Sequence, residues 1–349
     1  MIDKVLLFPY WLTLKIRHFM YDHGMRKVHT PDVPTICVGN VTVGGTGKTP
    51  HTEMIIRTLL QDPEWSGKNI AVLSRGYKRK TKGFQQVVCD GTARQFGDEP
   101  MQIKRKFPSV TVAVDKSRKQ GCSFLSDPEL VKTSRKGRKC LHKDFPKADL
   151  IILDDAFQHR RVKPSHNIVL INWHRPIFAD NLLPLGRLRD LPEQIRRADT
   201  VIVTKSPRFG EHDGIIDEEL AAQQIAPVEK EWRRKLGLSD RQKLCFSYIC
   251  YGGPRGVEPA AADSRYIYSG NAIFFTGIAN DKEFRDHISS SYKIQSSIKY
   301  PDHYNFTKYN IKDLNNWAAL HPTAVVFTTE KDSKRLSGNP YLSEDLKRR

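Results

Sequence analysis

Val38-Gly39-Asn40-Val41-Thr42-Val43-Gly44-Gly45-Thr46-Gly47-Lys48-Thr49 is the stretch that decides the fold of this 349-residue chain. An apolar run, Thr35 to Val38, reads as a buried strand that enters a glycine-rich turn. A helix is expected to follow, from about Lys48 to Gln61. Glycines let consecutive backbone N–H groups curl around phosphate oxygens, and a helix N-terminus adds positive potential. Lys48 then reaches the outer phosphates of a nucleotide, and the Thr49 hydroxyl offers a ligand to Mg2+. Gly44, Gly45, Thr46, Gly47, Lys48 and Thr49 are therefore the expected phosphate cradle. The first glycine of the G-x-x-x-x-G-K-S/T pattern is Thr42 here. A chance Gly-Lys-Thr is the competing reading; the strand, the three glycines and the helix weigh against it.

The neighbouring segments repeat the alternation. Ile70–Leu73, Val110–Val114, Leu150–Leu153, Ile168–Ile171 and Val201–Thr204 are short apolar runs, and Asp98–Lys106 reads as a helix opened by an acidic pair. Such runs between helical patterns argue for a parallel sheet covered on both faces. Leu150-Ile151-Ile152-Leu153-Asp154-Asp155 is a strand that ends in carboxylates. At the carboxyl edge of the sheet these can hold Mg2+, directly or through water. A strand-end Asp also serves as a plain helix cap. With a phosphate loop upstream in the same sheet, the metal reading is the stronger one.

Composition narrows the partners. Residues 1–200 hold 35 basic and 20 acidic side chains, the remainder 22 and 19, and the excess peaks at Lys104–Lys147 with 13 against 4. A basic half wants a polyanion: nucleic acid, an anionic bilayer or a phosphorylated substrate. The polar, basic stretch from Ser126 to Lys143 reads as a surface insertion. Six scattered Cys without a CxxC pair fit a reduced compartment better than a disulfide or zinc scaffold. No apolar run reaches the length of a spanning helix.

The N-terminus carries an amphipathic helix. Val5, Phe8, Leu12, Ile16 and Phe19 share one face, while Lys4, Trp11, Lys15, His18 and Asp22 lie on the other side. Its dense apolar run covers about 15 Å as a helix, half a bilayer core. Lys15, Arg17 and His18 interrupt it, and no small-residue cleavage site follows, so a signal peptide is a poor fit. It can lie in the plane of a membrane surface or dock on the protein's own core; Trp and Tyr beside Lys favour the membrane.

Further polar clusters stand at loop positions: Ser74-Arg75-Gly76-Tyr77, Gly97-Asp98-Glu99-Pro100 and Pro301-Asp302-His303-Tyr304. Taken together, VGNVTVGGTGKTP, LSRGY, GDEP, VDKSR, LDDAFQHR, LLPLGRLRD, TGIAN, PDHY and TEKD, in that order over residues 34–335, resemble the tetraacyldisaccharide 4'-kinases of lipid A synthesis. That family has Thr at the Thr42 position. DDAFQH stands where DDGLQH is common and LRD where LRE is common, which shortens the acidic side chain at Asp190.

The resemblance implies a P-loop NTPase-like α/β fold, with a mostly parallel sheet and helices on both faces, and transfer of the ATP γ-phosphate to the 4'-hydroxyl of an acylated glucosamine disaccharide 1-phosphate. It implies Asp98 as the base, oriented by His303, and Lys48, Thr49, Asp154 and Asp155 on the phosphates and Mg2+. Gln158 and Arg118 would position the γ-phosphate or its acceptor. Arg75, Tyr77, Glu99 and Arg189 would contact or position the substrate. The expected organisation is an interfacial helix at 1–28, a kinase domain at 29–230 and a smaller α/β domain at 231–349. The expected setting is peripheral, on the cytoplasmic face of the bacterial inner membrane, as a monomer without nucleic acid. The alternative is a P-loop ATPase that binds nucleic acid through its basic half; it leaves the N-terminal helix unexplained, and no aromatic platform supports it.

Overall fold

The apolar runs around the glycine-rich turn become neighbouring strands of one sheet. The computed structural model describes residues 2–212, 215–256, 269–278, 281–301, 304, 306–336 and 339–349. They form two compact units, residues 1–249 and 250–349. In the first, the strands are β1 (Thr35–Gly39), β2 (Ile70–Ser74), β3 (Gln85–Gln86), β4 (Thr111–Val114), β5 (Leu150–Asp154), β6 (His166–Asn172), β7 (Thr200–Thr204), a short pair β8 (Glu211–His212) and β9 (Ile215–Ile216), and β10 (Lys243–Ser247). The helices are α1 (Ile2–Asp22), α2 (Lys48–Gln61), α3 (Ala93–Phe96), α4 (Asp98–Lys106), α5 (Arg118–Ser126), α6 (Glu129–Thr133) and α7 (Glu218–Leu236). The large sheet runs β10-β7-β6-β1-β5-β2-β4-β3, parallel except for β3. β1 sits at its centre between β5 and β6.

Period-two alternation sorts the strand residues onto two faces. Cys37, Ala71, Leu73, Ala113, Ile151, Leu153, Val169 and Val201 pack with α1, α5, α6 and α7. Val38, Val72, Val112, Val114, Ile152, Leu170 and Ile202 pack with Ile56 of α2 and with Met101 and Ile103 of α4. Both faces are covered, as continuous apolar runs require.

The domain boundary differs from the expected break at 230/231. That position falls inside α7, whose Trp232 and Leu236 are buried in the first core. Trp232 stacks on Trp173 at 5.3 Å and meets Phe246 of β10 edge-on. β10 itself pairs with β7, so the first unit runs on to residue 249.

The second unit holds the parallel sheet β12-β11-β13, with β11 (Asn271–Thr276), β12 (Lys293–Lys299) and β13 (Val325–Thr328). Around it lie α8 (Lys282–Ser289), α9 (Lys308–Ala319), α10 (Glu330–Leu336) and α11 (Glu344–Arg348). The Arg349 guanidinium donates to the carbonyls of Ala318 and Ala324, each at 2.7 Å, and so ties the end of the chain to α9 and β13.

The N-terminal helix docks with one face and leaves the other outside. Leu14, His18 and Tyr21 are buried, and Leu7 and Tyr10 pack on the core. His18 Nε2 donates to the buried Asp190 carboxylate at 2.6 Å, while Arg160 donates to His18 Nδ1 at 2.9 Å. Arg17 donates to the Gln158 carbonyl, the Tyr10 hydroxyl donates to the Arg189 carbonyl, and Asp22 accepts from Arg160 and Arg196. Phe8, Trp11, Leu12, Ile16 and Phe19 face solvent. Of the apolar stripe read from the sequence, Phe8, Leu12, Ile16 and Phe19 thus lie on the outward face, joined by Trp11, which the sequence reading put on the other side. The docking face is the mixed one, because buried Asp190 offers it a partner.

Candidate active site

The carboxyl ends of β1, β2 and β5 meet where parallel α/β sheets bind ligands. After β1, the chain turns through Gly44, Gly45 and Gly47 at φ near +70° and enters α2 at Lys48. A residue with a Cβ is strained in that region. No backbone carbonyl among the described residues accepts from the N–H groups of Gly44, Gly45, Thr46 or Gly47. The loop's carbonyls, by contrast, are held. Asn172 at the end of β6 donates to Gly45 O at 3.1 Å, and Thr204 at the end of β7 donates to Thr46 O at 3.2 Å. The result is a row of unmet donors on a braced loop, ready for an anion.

Asn40 organises the loop from inside. It is fully buried, and its amide donates to Thr46 Oγ1 at 2.5 Å. Its side-chain oxygen accepts from Arg189 at 2.6 Å, and its carbonyl accepts from Gln158 at 2.6 Å. A strap from 181 to 190 closes over this side: Val43 N donates to Arg187 O at 2.8 Å and Arg189 N to Val41 O at 2.9 Å.

The two carboxylates that end β5 have different surroundings. Asp155 sits at φ 48° and is gripped by both terminal nitrogens of Arg189, with Lys48 Nζ 3.9 Å away. Burial opposes its charge, yet the Arg189 hydrogen bonds and the Lys48 charge hold the carboxyl below its usual range. Asp154 is buried and accepts from Ser74 Oγ at 3.1 Å and Thr52 Oγ1 at 3.5 Å. Burial, and then the charge on Asp155, push its carboxyl up. No side-chain ion pair is seen on Asp154 among the described residues, although the charges of Lys48 and Arg118 act on its carboxyl. The half-buried Thr49 stands at the start of α2.

Two loops carry the remaining candidates. Arg75 and Tyr77 follow β2 and are exposed; Asp98 is exposed and Glu99 half-buried at the start of α4. Gly76 and Gly97 hold these loops together. A Cβ on Gly97 would stand 3.2 Å from Gly76 Cα and from Tyr77 O, and one on Gly76 would stand 2.8 Å from Phe96 O. Backbone lies on backbone there, so Asp98 is brought beside Arg75 and Tyr77. As the first residue of α4, Asp98 also sits at the positive end of its dipole.

Several of the remaining candidates bond within the protein itself. The Arg118 guanidinium is buried and donates to the carbonyls of Asp115 at 2.5 Å and Asp154 at 3.0 Å, joining the ends of β4 and β5. Gln158 and Arg189 also act on the protein itself, through Asn40 and Asp155. Asp190 holds α1 rather than facing the loop. His303 lies outside the described residues. In the second unit, Asp332 of the TEKD motif accepts from Gly277 N at 2.8 Å and Thr329 Oγ1 at 2.7 Å, a structural tie between two sequence motifs. Ser74 was visible from sequence only as part of a polar loop cluster, and Asn40, Asn172 and Thr204 were given no role there. Each is one polar residue at a strand's carboxyl end, a position that signals something only once a neighbouring strand is known to carry the phosphate loop.

A family model described as tetraacyldisaccharide-1-P 4'-kinase matches residues 4–346. A tetraacyldisaccharide 4'-kinase of Porphyromonas gingivalis is 39% identical over 334 residues, covering 94% of this chain and 84% of that protein. Similar proteins of the same name from Phocaeicola vulgatus and Flavobacterium psychrophilum are 37% and 35% identical, each covering 95% of this chain and 83% and 87% of their own lengths. A crystal structure of LpxK from Aquifex aeolicus, in complex with ATP, superposes with a TM-score of 0.64 at 24% identity over 98% of this chain and 92% of that one; it shares the fold.

Proposed function

This chain belongs to the tetraacyldisaccharide-1-P 4'-kinase family, and from that premise we infer that it transfers the γ-phosphate of ATP to the 4'-hydroxyl of an acylated glucosamine disaccharide 1-phosphate in lipid A synthesis. The observation that carries the reading is the braced loop of unmet N–H donors running into Lys48, with Asp155 3.9 Å from that lysine. The nucleic-acid alternative gains nothing from the family match.

The donors of residues 44–47 and the N-terminus of α2 take the phosphates, and Lys48 neutralises the outer ones. Arg189 keeps the Asp155 carboxylate ionised and fixed beside Lys48, so the lysine is aimed before nucleotide arrives. Asp154 and Thr49 would hold Mg2+, which supplies positive charge against the phosphate oxygens. The acceptor hydroxyl has a pKa far above neutrality, so a base must take its proton as the bond forms. Asp98 takes that part. The sugar oxygen bonds to the γ-phosphorus, the bond from that phosphorus to the β,γ-bridging oxygen breaks, the proton passes to Asp98, and ADP leaves. His303 is proposed as the partner that orients Asp98. Arg75 and Tyr77, exposed beside Asp98, are proposed to contact the sugar headgroup.

The acceptor is a lipid, and the outward stripe of α1 suits an interfacial role. Five large apolar side chains are exposed on one helix, with Lys15 over the Trp11 ring at 5.5 Å. No described helix is long and apolar enough to cross a membrane. We place the protein, as a monomer, on the cytoplasmic face of the inner membrane. A phosphoryl-transfer assay with purified monophosphorylated disaccharide lipid and ATP tests the function. The expected product gains one phosphate, located at the 4' position by mass spectrometry. ATP consumption without a phosphorylated lipid would contradict the reading.

A further inference from the structure

The stretch from Ser126 to Lys147 is not used by the chemistry above. It carries seven Lys and Arg against three Asp and Glu. Two of those acids, Glu129 and Asp144, are engaged by Lys132 alone. Arg135, Lys136, Arg138 and Lys139 are exposed, and no carboxylate among the described residues pairs with them. Leu130 and Leu141 are exposed beside them, Leu141 at 60%.

The segment is nonetheless firmly built. Val131 and Cys140 are buried in the core, and Phe145 packs on Phe84 at 5.7 Å. The Gln85 side chain of β3 donates to the Lys139 carbonyl at 2.6 Å and accepts from Leu141 N at 3.0 Å. Gly137 lies so close to Val131 that a Cβ would stand 1.9 Å from its carbonyl oxygen. These anchors hold the cations and Leu141 outward on a fixed frame.

Its place in the fold matters most. Val131 and Cys140 belong to the same core face as Leu14 of α1, so the basic segment and the N-terminal helix lie in one layer on one side of the sheet. The segment is pinned to β3; α1 is pinned to residues 158–160, just after β5, and to residues 189–196, so the nearer of its anchors is the one after β5. Two strands separate β5 from β3, a lateral distance of about 15 Å at ~4.8 Å per strand. Cations on that layer act on a charged surface only within a Debye length of about 8 Å, which a surface already touching α1 satisfies more readily than one elsewhere.

We propose that residues 126–147 form a second membrane contact, in which Arg135, Lys136, Arg138 and Lys139 meet anionic lipid headgroups and Leu141 enters the headgroup layer. This rests on the interfacial reading of α1 and deepens it: stable anchoring at a membrane takes two signals, and this segment is the electrostatic one. The exposed apolar groups are leucines, which fit hydrocarbon and offer no ring on which a base stacks.

The test is sedimentation of the full chain with phosphatidylglycerol-containing vesicles, with phosphatidylcholine vesicles and single-stranded DNA as comparison probes. Each cation near an anionic surface contributes about fivefold in partitioning. The combined variant R135E, K136E, R138E and K139E is expected to weaken binding to anionic vesicles by on the order of 10³-fold and to flatten its salt dependence. It should leave binding to neutral vesicles, and turnover of detergent-dispersed substrate, unchanged. Leu141→Ser should weaken anionic binding several-fold. Wild-type binding by the charge-reversed protein overturns the proposal, as does a variant that loses DNA binding but keeps its lipid binding. A parallel variant with Phe8→Ser and Phe19→Ser separates the two readings. Loss there alone overturns the second contact and leaves α1 standing; loss in the charge-reversed variant alone supports the second contact and removes the role of α1.

Discussion

The two sides of the site are built to opposite plans. On the nucleotide side, Asn40, Thr46, Asp154 and Thr204 are buried and cross-linked by side-chain hydrogen bonds, and Asp155 is clamped by Arg189. On the side proposed for the acceptor, Arg75, Tyr77 and Asp98 are exposed, and their loops meet at the backbones of Gly76 and Gly97. A triphosphate is small, highly charged and always the same, so fixed dipoles suit it and need no reorganisation. An acylated disaccharide is large and, in the proposed setting, arrives from a membrane surface, which asks for contacts that stay open. The difference teaches that phosphate binding and acceptor chemistry are separable here, and mutations should separate them.

The largest effect is expected from the braced side. Lys48→Ala should lower kcat by on the order of 10³-fold or more while the fold persists. Near-normal turnover in a steady-state assay would remove the lysine from the chemistry and dissolve the contrast. Asp98→Ala should lower kcat by at least ~10²-fold with ATP affinity unchanged by calorimetry, because the proposed base is lost and the cradle is not. His303→Ala should cost less, and its loss should not add to that of Asp98→Ala; strictly additive losses in the double mutant would separate the two residues. Arg189→Lys keeps a charge but loses the two-pronged grip on Asp155. About a tenfold rise in KM for ATP is expected, with little change in KM for the lipid; the reverse pattern would place Arg189 on the acceptor.

The smallest effect sharpens the electrostatics between the two sides. Burial, followed by the charges of Arg118 and Arg75, pulls His159 down to about 4. Between pH 6.5 and 4 the unfolded chain therefore binds a proton there that the folded chain does not, so stability falls as pH falls through that window. The full contribution is up to about 3 kcal/mol. His159→Gln should flatten that limb of the unfolding profile measured in urea. An unchanged acid limb would mean that other groups produce it.

The sequence was most legible where a local rule carries the structure. The bounds of α2 and α4 follow from a glycine turn and an acidic first turn, and the observed helices start at Lys48 and Asp98 as expected. It was least legible where distant strands supply the partner. Nothing local marks Asn172 or Thr204 as braces, because their role exists only once β6 and β7 stand beside β1 and its loop. The same holds for α1. Its apolar stripe was visible, but which face docks is decided by Asp190 and Arg160, more than 130 residues away. α7 was missed because Pro227 interrupts it and only Trp232 and Leu236 are buried, which leaves little periodicity to read.

A crystal structure with a non-hydrolysable ATP analogue tests the central claim most directly, namely that the phosphate side is preformed. The triphosphate is expected against the N–H groups of residues 44–48, with Lys48 on its outer phosphates and the loop backbone moved by less than about 1 Å. A nucleotide bound elsewhere, or a loop that must be rebuilt around it with Arg189 released from Asp155, would contradict the account.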